Sequence, residues 1–126
     1  MDNLAFRVTP LTISDDIEPM VRHYRSLGFL PVETGDGGCV GMRAGTSHVI
    51  LVSADFLKGD FSSKVVDRLA GKTIPYVHVR CLSTAILRLS TTSHVIEQVT
   101  TRGGTEEAVI EDNGHYQILA ERPEMH

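Results

Sequence analysis

The strongest constraint on the fold is an internal repeat, because one order of secondary structure elements is predicted twice along the chain. The segment Pro10-Leu-Thr-Ile opens the first half and Tyr76-Val-His-Val opens the second half. Each half then shows the pattern of a strand, a helix and three further strands. Turn residues precede the last strand of each half, at Ala44-Gly45 and at Asn113-Gly114. The repeat predicts an α+β fold made of two βαβββ modules.

Hydrophobic periodicity and Gly-rich turns place the individual elements. A Gly-rich hairpin is predicted over 35–38, and a connector over 54–73 is predicted to hold helical turns over 62–70. The predicted strands are 6–13, 30–34, 39–43, 48–53, 74–81, 94–99, 106–111 and 116–121, and the predicted helices are 16–27 and 83–90.

The first helix has clear signals at both ends. Asp16 is the predicted N-cap, since this register places Pro19 in the first turn, where a missing N–H removes no helical hydrogen bond. Gly28 is predicted to adopt the left-handed conformation that ends a helix. The helix is therefore predicted to bury one apolar stripe, formed by Ile17, Met20, Val21, Tyr24 and Leu27.

Size and charge restrict the class of protein. The 126 residues predict a single domain over 1–126, with module 1 at about 5–55, a connector at about 56–72 and module 2 at about 73–122. The net charge of −4 without a basic run argues against nucleic-acid binding. No segment has the length or pattern of a membrane span or signal peptide, so a cytoplasmic protein is predicted. Cys39 and Cys81 lack metal-type spacing and are predicted to be small buried thiols.

Two motifs carry a family resemblance. The helix ends in Tyr24-Arg-Ser-Leu-Gly-Phe29, and the chain closes with Glu111-Asp-Asn-Gly-His-Tyr-Gln-Ile-Leu-Ala-Glu121. In this order and spacing, the chain resembles the vicinal oxygen chelate superfamily, which includes glyoxalase I, extradiol dioxygenases and bleomycin-resistance proteins. The resemblance implies a glyoxalase/bleomycin-resistance-like fold with concave mixed sheets.

The resemblance also implies which positions would hold a metal ion in metal-dependent members. These positions correspond to Val8, Leu51, Tyr76 and Ile118. Divalent ions in such sites need imidazole or carboxylate donors, which three of these residues lack entirely. The chain is therefore predicted to be metal-free and without a cofactor, and closest in pattern to the bleomycin-resistance branch, whose members bind a drug without transforming it.

One strand of the second module carries the candidate binding residues. Strand geometry sends Tyr76, His78 and Arg80 to one face, while Val77 and Val79 face the helices. Such a row can hold a carboxylate, phosphate or carbonyl oxygen, with Arg80 supplying paired donors. The alternative is an ordinary polar stripe without a ligand. The predicted binding residues are Tyr76, His78, Arg80, Val8, Leu51, Tyr116 and Ile118.

The leading functional hypothesis is a homodimeric protein that sequesters a drug or metabolite, as in antibiotic resistance, rather than an enzyme. The alternative is a lyase, isomerase or dioxygenase of the same superfamily. Such an enzyme would use relocated metal ligands, for example His48, His78 and His115 with a more distant Glu, or a metal-free site with His78 as general base beside Arg80. A third possibility is a structural or regulatory domain whose concave face is filled by its own side chains.

Overall fold

The computed structural model describes residues 4–32 and 37–122, and within them it contains eight strands and four helices. The strands are β1 Ala5–Ser14, β2 Leu30–Val32, β3 Cys39–Ala44, β4 Ser47–Ser53, β5 Thr73–Val79, β6 Ser93–Thr100, β7 Glu106–Asp112 and β8 His115–Glu121. The helices are α1 Glu18–Ser26, α2 Ala54–Leu57, α3 Ser63–Leu69 and α4 Leu82–Leu87. Part of the predicted strand 30–34 and of the predicted hairpin 35–38 lies outside the described residues.

The chain divides into two compact units that have the same strand topology. The N-terminal unit comprises Thr9–Thr73, and the C-terminal unit comprises the described residues on either side of it. In the N-terminal unit the strand order is β2-β3-β4-β1, with β1 parallel to β4 and the other neighbours antiparallel. In the C-terminal unit the order β6-β7-β8-β5 repeats this pattern, with β5 parallel to β8. Each unit thus contains the βαβββ order predicted from the repeat.

Helix α1 follows the sequence pattern closely but begins differently from the prediction. Its N-cap is Ile17, whose side chain provides no cap, instead of Asp16. The Asp16 carboxylate accepts a hydrogen bond from the amide of Glu18 at 3.1 Å, so it closes a turn one residue before the helix. The predicted left-handed Gly28 is confirmed, with a φ of 94°.

The core of the N-terminal unit lies between α1 and its strands. Ile17, Met42 and Leu51 are buried there, and partly buried side chains from α1 and the strands pack around them. Leu27 was predicted to belong to this stripe, but it is 61% exposed. Because Leu27 is the C-cap residue, its side chain has already left the face that packs on the strands.

Two short helices fill the connector. Helix α3 confirms the helical turns predicted over 62–70. The hydroxyl of Ser62 caps it by accepting from the amide of Val65, and Val65, Val66 and Leu69 are buried. Helix α2, capped by Ser53, was not predicted. It packs closely on the chain before β3, since a Cβ added to Gly38 would lie 2.7 Å from Cβ of Phe56.

The C-terminal unit packs α4 against one face of its strands. Val77 and Val79 face this helix, which confirms their predicted orientation. Asn113 and Gly114 both have positive φ, 52° and 81°, and form the predicted turn between β7 and β8. The buried cluster under α4 consists of Val79, Leu82, Ala85, Ala108, Ile110 and Leu119.

Candidate functional site

The strand face of the C-terminal unit opposite α4 carries the candidate site. Side chains alternate across a sheet, so the residues between those of the α4 cluster share the other face. The strand registers arrange them in two rows. One row runs Tyr76, Ile118 and Val109, and the next runs His78, Ala120 and Glu107.

A hydrogen bond joins the two rows across β8. The hydroxyl of Tyr76 donates to Oε2 of Glu107 at 2.5 Å, and Glu107 is buried. Strands β5 and β7 are separated by β8, so this bond spans about 10 Å of sheet. The small side chain of Ala120, which lies in register with Glu107, leaves space for the two longer side chains to meet. Charge-assisted bonds of this kind are stronger than neutral ones and hold the Tyr76 ring in place.

His78 is nearly buried, at 5% exposure, and its ring contacts are aromatic. Its centroid lies 5.1 Å from that of Tyr76 in an edge-on arrangement and 6.0 Å from that of Phe6. The imidazole makes no hydrogen bond to another residue in the described part of the chain. No fully buried side-chain nitrogen or oxygen in this part lacks a partner. The remaining exposed area of His78 therefore includes its unpaired ring nitrogens.

The electrostatic surroundings of His78 keep it neutral. Burial contributes most, and the positive charges of Arg122 and Arg7 add to it, in lowering the pKa of His78 below its ordinary value of 6.5. Both causes disfavour the imidazolium form. At pH 7 the imidazole is therefore an uncharged group that can both donate and accept a hydrogen bond.

The Phe6 ring is an exposed apolar surface beside His78. It is 52% exposed, although large aromatic side chains are usually well covered. The guanidinium of Arg80 lies over the Phe6 ring, with Cζ 4.7 Å from the centroid, which is cation–π geometry. The backbone amide of Arg80 also donates to the carbonyl of Leu4 at 2.9 Å, which anchors β1 beside the end of β5.

The predicted binding residues separate into two groups. Tyr76, His78 and Arg80 are brought together with one another, and Ile118 lies beside them in register with Tyr76, fully buried. Tyr116 is half-buried one step earlier on the same face of β8.

Val8 and Leu51 lie in different surroundings. Val8 is 61% exposed and, two residues after Phe6 on β1, lies on the same face of that strand. Leu51 belongs to the N-terminal unit, where it is fully buried in the cluster under α1. A ligand could reach the Leu51 side chain only by displacing that core.

The four positions that the family resemblance assigns to metal ligands do not carry side chains that are free to bind a metal ion. Val8, Leu51 and Ile118 have hydrocarbon side chains, and Tyr76 donates its hydroxyl to Glu107. Across residues 4–32 and 37–122, no three His, Cys, Asp or Glu side chains are grouped so that they could hold a metal ion. The suggested set of His48, His78 and His115 is therefore not brought together as a metal site.

Two residues of the site were not predicted. Phe6 could have been found, because it lies two residues before Val8, a predicted binding residue, and therefore on the same face of the strand. Glu107 could not have been found in this way, because its role depends on a strand register that no local pattern reveals.

The cysteines lie outside this site and are more exposed than predicted. Both Cys39 and Cys81 are partly exposed. Hydrogen bonds from Ser83 and Thr84 lower the pKa of the Cys81 thiol. In the described residues, no helix is long and apolar enough to span a membrane.

Comparison with known proteins identifies the fold. No protein-family model matches the sequence, and no curated protein matches it. Several solved structures are similar over nearly the whole chain. A hypothetical protein from Bacillus halodurans has 15% identity and a TM-score of 0.63, and the match covers 95% of this chain and 96% of that one.

A methylmalonyl-CoA epimerase from Mycobacterium tuberculosis has 14% identity and a TM-score of 0.57, with 95% of this chain and 88% of that one covered. A glyoxalase/bleomycin resistance protein/dioxygenase superfamily member from Vibrio splendidus has 14% identity and a TM-score of 0.54, with 91% and 97% covered. These likenesses show the fold and confirm the predicted fold class.

Proposed function

We propose that this chain, which has the vicinal oxygen chelate fold, binds a small organic molecule on the strand face formed by Phe6, Tyr76, His78 and Arg80. The protein would act by sequestering a drug or metabolite. The observation that carries the proposal is the neutral imidazole of His78, nearly buried yet with unpaired ring nitrogens, beside the exposed ring of Phe6. The metal-free state and the homodimer expected from the sequence belong to the same proposal.

The composition of the face suits a binding site. Small-molecule sites are lined mainly by apolar and aromatic groups, with a few polar groups that fix orientation. Here Phe6 supplies an exposed apolar surface, and His78 and Arg80 supply polar atoms. The bond between Tyr76 and Glu107 holds the face in one conformation, which lowers the entropy that a ligand must overcome on binding.

The chemistry of the matched positions supports a metal-free protein. A catalytic zinc or iron site needs about three protein donors and an open position. Hydrocarbon side chains at Val8, Leu51 and Ile118 supply none. Binding without metal-dependent turnover is the function that these residues fit best.

Native mass spectrometry and elemental analysis of the purified protein, combined with a thermal-shift panel of small molecules, test this proposal. We expect no stoichiometric divalent metal and a ligand-induced rise in melting temperature, since saturating ligand adds several kcal/mol of apparent stability. Phe6→Ala should remove the shift, and Leu87→Ala is the matched control because Leu87 is an exposed apolar residue outside the face. About one tightly bound metal ion per chain, or equal shifts in both variants, would contradict the proposal.

Metal-free catalysis is a second candidate, favoured by the lowered pKa of His78. A neutral imidazole at pH 7 can accept a proton from a substrate, and Arg80 could stabilise the resulting oxyanion. Carbonyl and catechol-type substrates, screened with and without added metal, separate this candidate from simple binding. Turnover that is lost in His78→Ala would support it, and the absence of turnover would exclude it for those substrates.

A further inference from the structure

The turn between β7 and β8 consists of an Asn-Gly pair, Asn113-Gly114. The strand register ends with the pair of Asp112 and His115, so these two residues form the whole loop of the hairpin. Both have positive φ, 52° and 81°, as the type I′ turn of such a hairpin requires. Asn113 is the only residue other than glycine with positive φ in the described part of the chain. The turn therefore holds an asparagine directly before a residue without a side chain.

The side-chain amide of Asn113 and the backbone amide of Gly114 are both open to water. Both residues are exposed, as loop tips usually are. Among residues 4–32 and 37–122, neither of the two amides has a hydrogen-bond partner. A Cβ added to Gly114 would meet nothing within 4 Å, so no group beyond its chain neighbours crowds this residue. Water and hydroxide can therefore reach both amides.

We propose that Asn113 is a site of spontaneous deamidation, a covalent modification that does not depend on the proposed binding function. The backbone nitrogen of Gly114 loses its proton to hydroxide and attacks Cγ of Asn113, which forms an N–C bond and expels the side-chain nitrogen as ammonia. Water then opens the resulting succinimide ring. Opening at Cγ gives aspartate, and opening at the backbone carbonyl carbon gives isoaspartate. The net reaction consumes one water molecule and releases one ammonia molecule.

The residue after the asparagine distinguishes this position from others in the chain. Glycine has no Cβ, so the nitrogen of Gly114 can approach Cγ of Asn113 through backbone conformations that larger residues do not adopt. The other asparagine of the chain, Asn3, precedes Leu4, whose branched side chain hinders the same attack. The equivalent turn of the N-terminal unit, Gly45-Thr46, has no side-chain amide at all. Asparagine is a thermolabile residue type, and the sequence concentrates this lability at the β7–β8 turn.

The two products should affect the hairpin differently. Aspartate keeps the backbone and tolerates the left-handed region, although it adds a negative charge beside Asp112. Isoaspartate adds one carbon to the main chain, and a two-residue turn cannot absorb it without disturbing the pair that closes the hairpin. The hydroxyl of Thr92 donates to Oδ1 of Asp112 at 2.7 Å, so this disturbance would also reach the residue before β6. Isoaspartate should therefore open the end of the hairpin, and aspartate should leave it closed.

Incubation of the purified full chain, followed by peptide mapping with mass spectrometry, measures the modification residue by residue. We expect the peptide with Asn113 to gain the mass of an amide-to-acid exchange several times faster than the peptide with Asn3, at a rate proportional to hydroxide concentration. Gly114→Ala should slow the conversion several-fold, because the added methyl group hinders the attacking nitrogen. Gly45→Ala makes the same change in the equivalent turn, also at positive φ and in open space, and should leave the conversion of Asn113 unchanged.

Hydrogen exchange on the incubated protein tests the structural consequence. Molecules with isoaspartate should lose amide protection around Asp112 and His115, whereas Asn113→Asp should keep it. No mass gain at Asn113, or conversion no faster than at Asn3, would overturn the proposal. Equal conversion with and without Gly114→Ala would overturn the attack by the Gly114 nitrogen. Unchanged protection in the isoaspartate form would overturn the predicted opening of the hairpin.

Discussion

Removing the Tyr76 hydroxyl tests whether the polar pair on the C-terminal unit holds the proposed site together. Tyr76→Phe deletes one oxygen and keeps the ring that contacts His78. The lost bond, 2.5 Å long, ends on a carboxylate that is only 9% exposed, so water can replace it poorly. Hydrogen bonds to charged groups contribute about 1.5–3 kcal/mol net, and we expect a loss of about 2 kcal/mol in the free energy of unfolding.

This loss is large enough to measure without ambiguity. A change of about 2 kcal/mol lowers the folding equilibrium constant about thirtyfold and lowers the melting temperature of a chain of this size by roughly 6–8 °C. Urea denaturation at pH 7 measures the change directly. Tyr116→Phe is the matched control. Tyr116 is half-buried on β8, and its hydroxyl makes no hydrogen bond within the described residues, so its loss should cost less than about 0.5 kcal/mol.

A double-mutant cycle assigns the energy to the pair. Tyr76→Phe, Glu107→Gln and the double variant together give the coupling between hydroxyl and carboxylate, which we expect at about 1 kcal/mol or more. A coupling below about 0.3 kcal/mol, or equal losses in Tyr76→Phe and Tyr116→Phe, would refute the reasoning, since the bond would then have no structural role.

Three further predictions address the surroundings of the site and the two cores. The pKa of His78 is lower in the folded chain than in the unfolded chain, so the unfolded chain protonates this imidazole first as the pH falls. The free energy of unfolding should therefore decrease as the pH drops below about 6.5. If His78→Phe left this pH dependence unchanged, the prediction would be contradicted. Leu51→Ala, at a fully buried position, should cost about 2–5 kcal/mol in urea denaturation, whereas Leu87→Ala, at 86% exposure, should cost less than about 0.5 kcal/mol. Gly38→Ala should cost about 1–3 kcal/mol because the added methyl group meets α2, and Gly37→Ala, which faces open space, should be nearly neutral in the same assay.

Much of the fold could be predicted because local patterns and tertiary structure agree. The turn at Asn113 and Gly114, the end of α1 at Gly28 and the helix capped by Ser62 each have a residue whose backbone preference or side chain specifies the feature. Helix α2 has four residues, too few to establish a helical period, although Ser53 in front of it was an available signal.

Only the part of the site that lies along a single strand could be predicted from the sequence. Alternation along the predicted strand 74–81 placed Tyr76, His78 and Arg80 on one face, since this depends on strand geometry alone. The pairing of Tyr76 with Glu107 depends on the registers of β5 with β8 and of β8 with β7, which pattern analysis does not provide. Leu51 was predicted as a binding residue but is buried under α1, because alternation along a strand does not tell which of its faces a helix covers.

The central claim is that a small molecule binds beside Phe6 and His78 on the C-terminal unit. Protein-detected NMR with a fragment library, using the ring resonances of these two residues as reporters, tests it most directly. We expect bound fragments to shift both ring signals and to leave the signals of Leu87, an exposed residue outside the face, unchanged. Fragments that bind the protein and leave the Phe6 and His78 rings unshifted would contradict the claim.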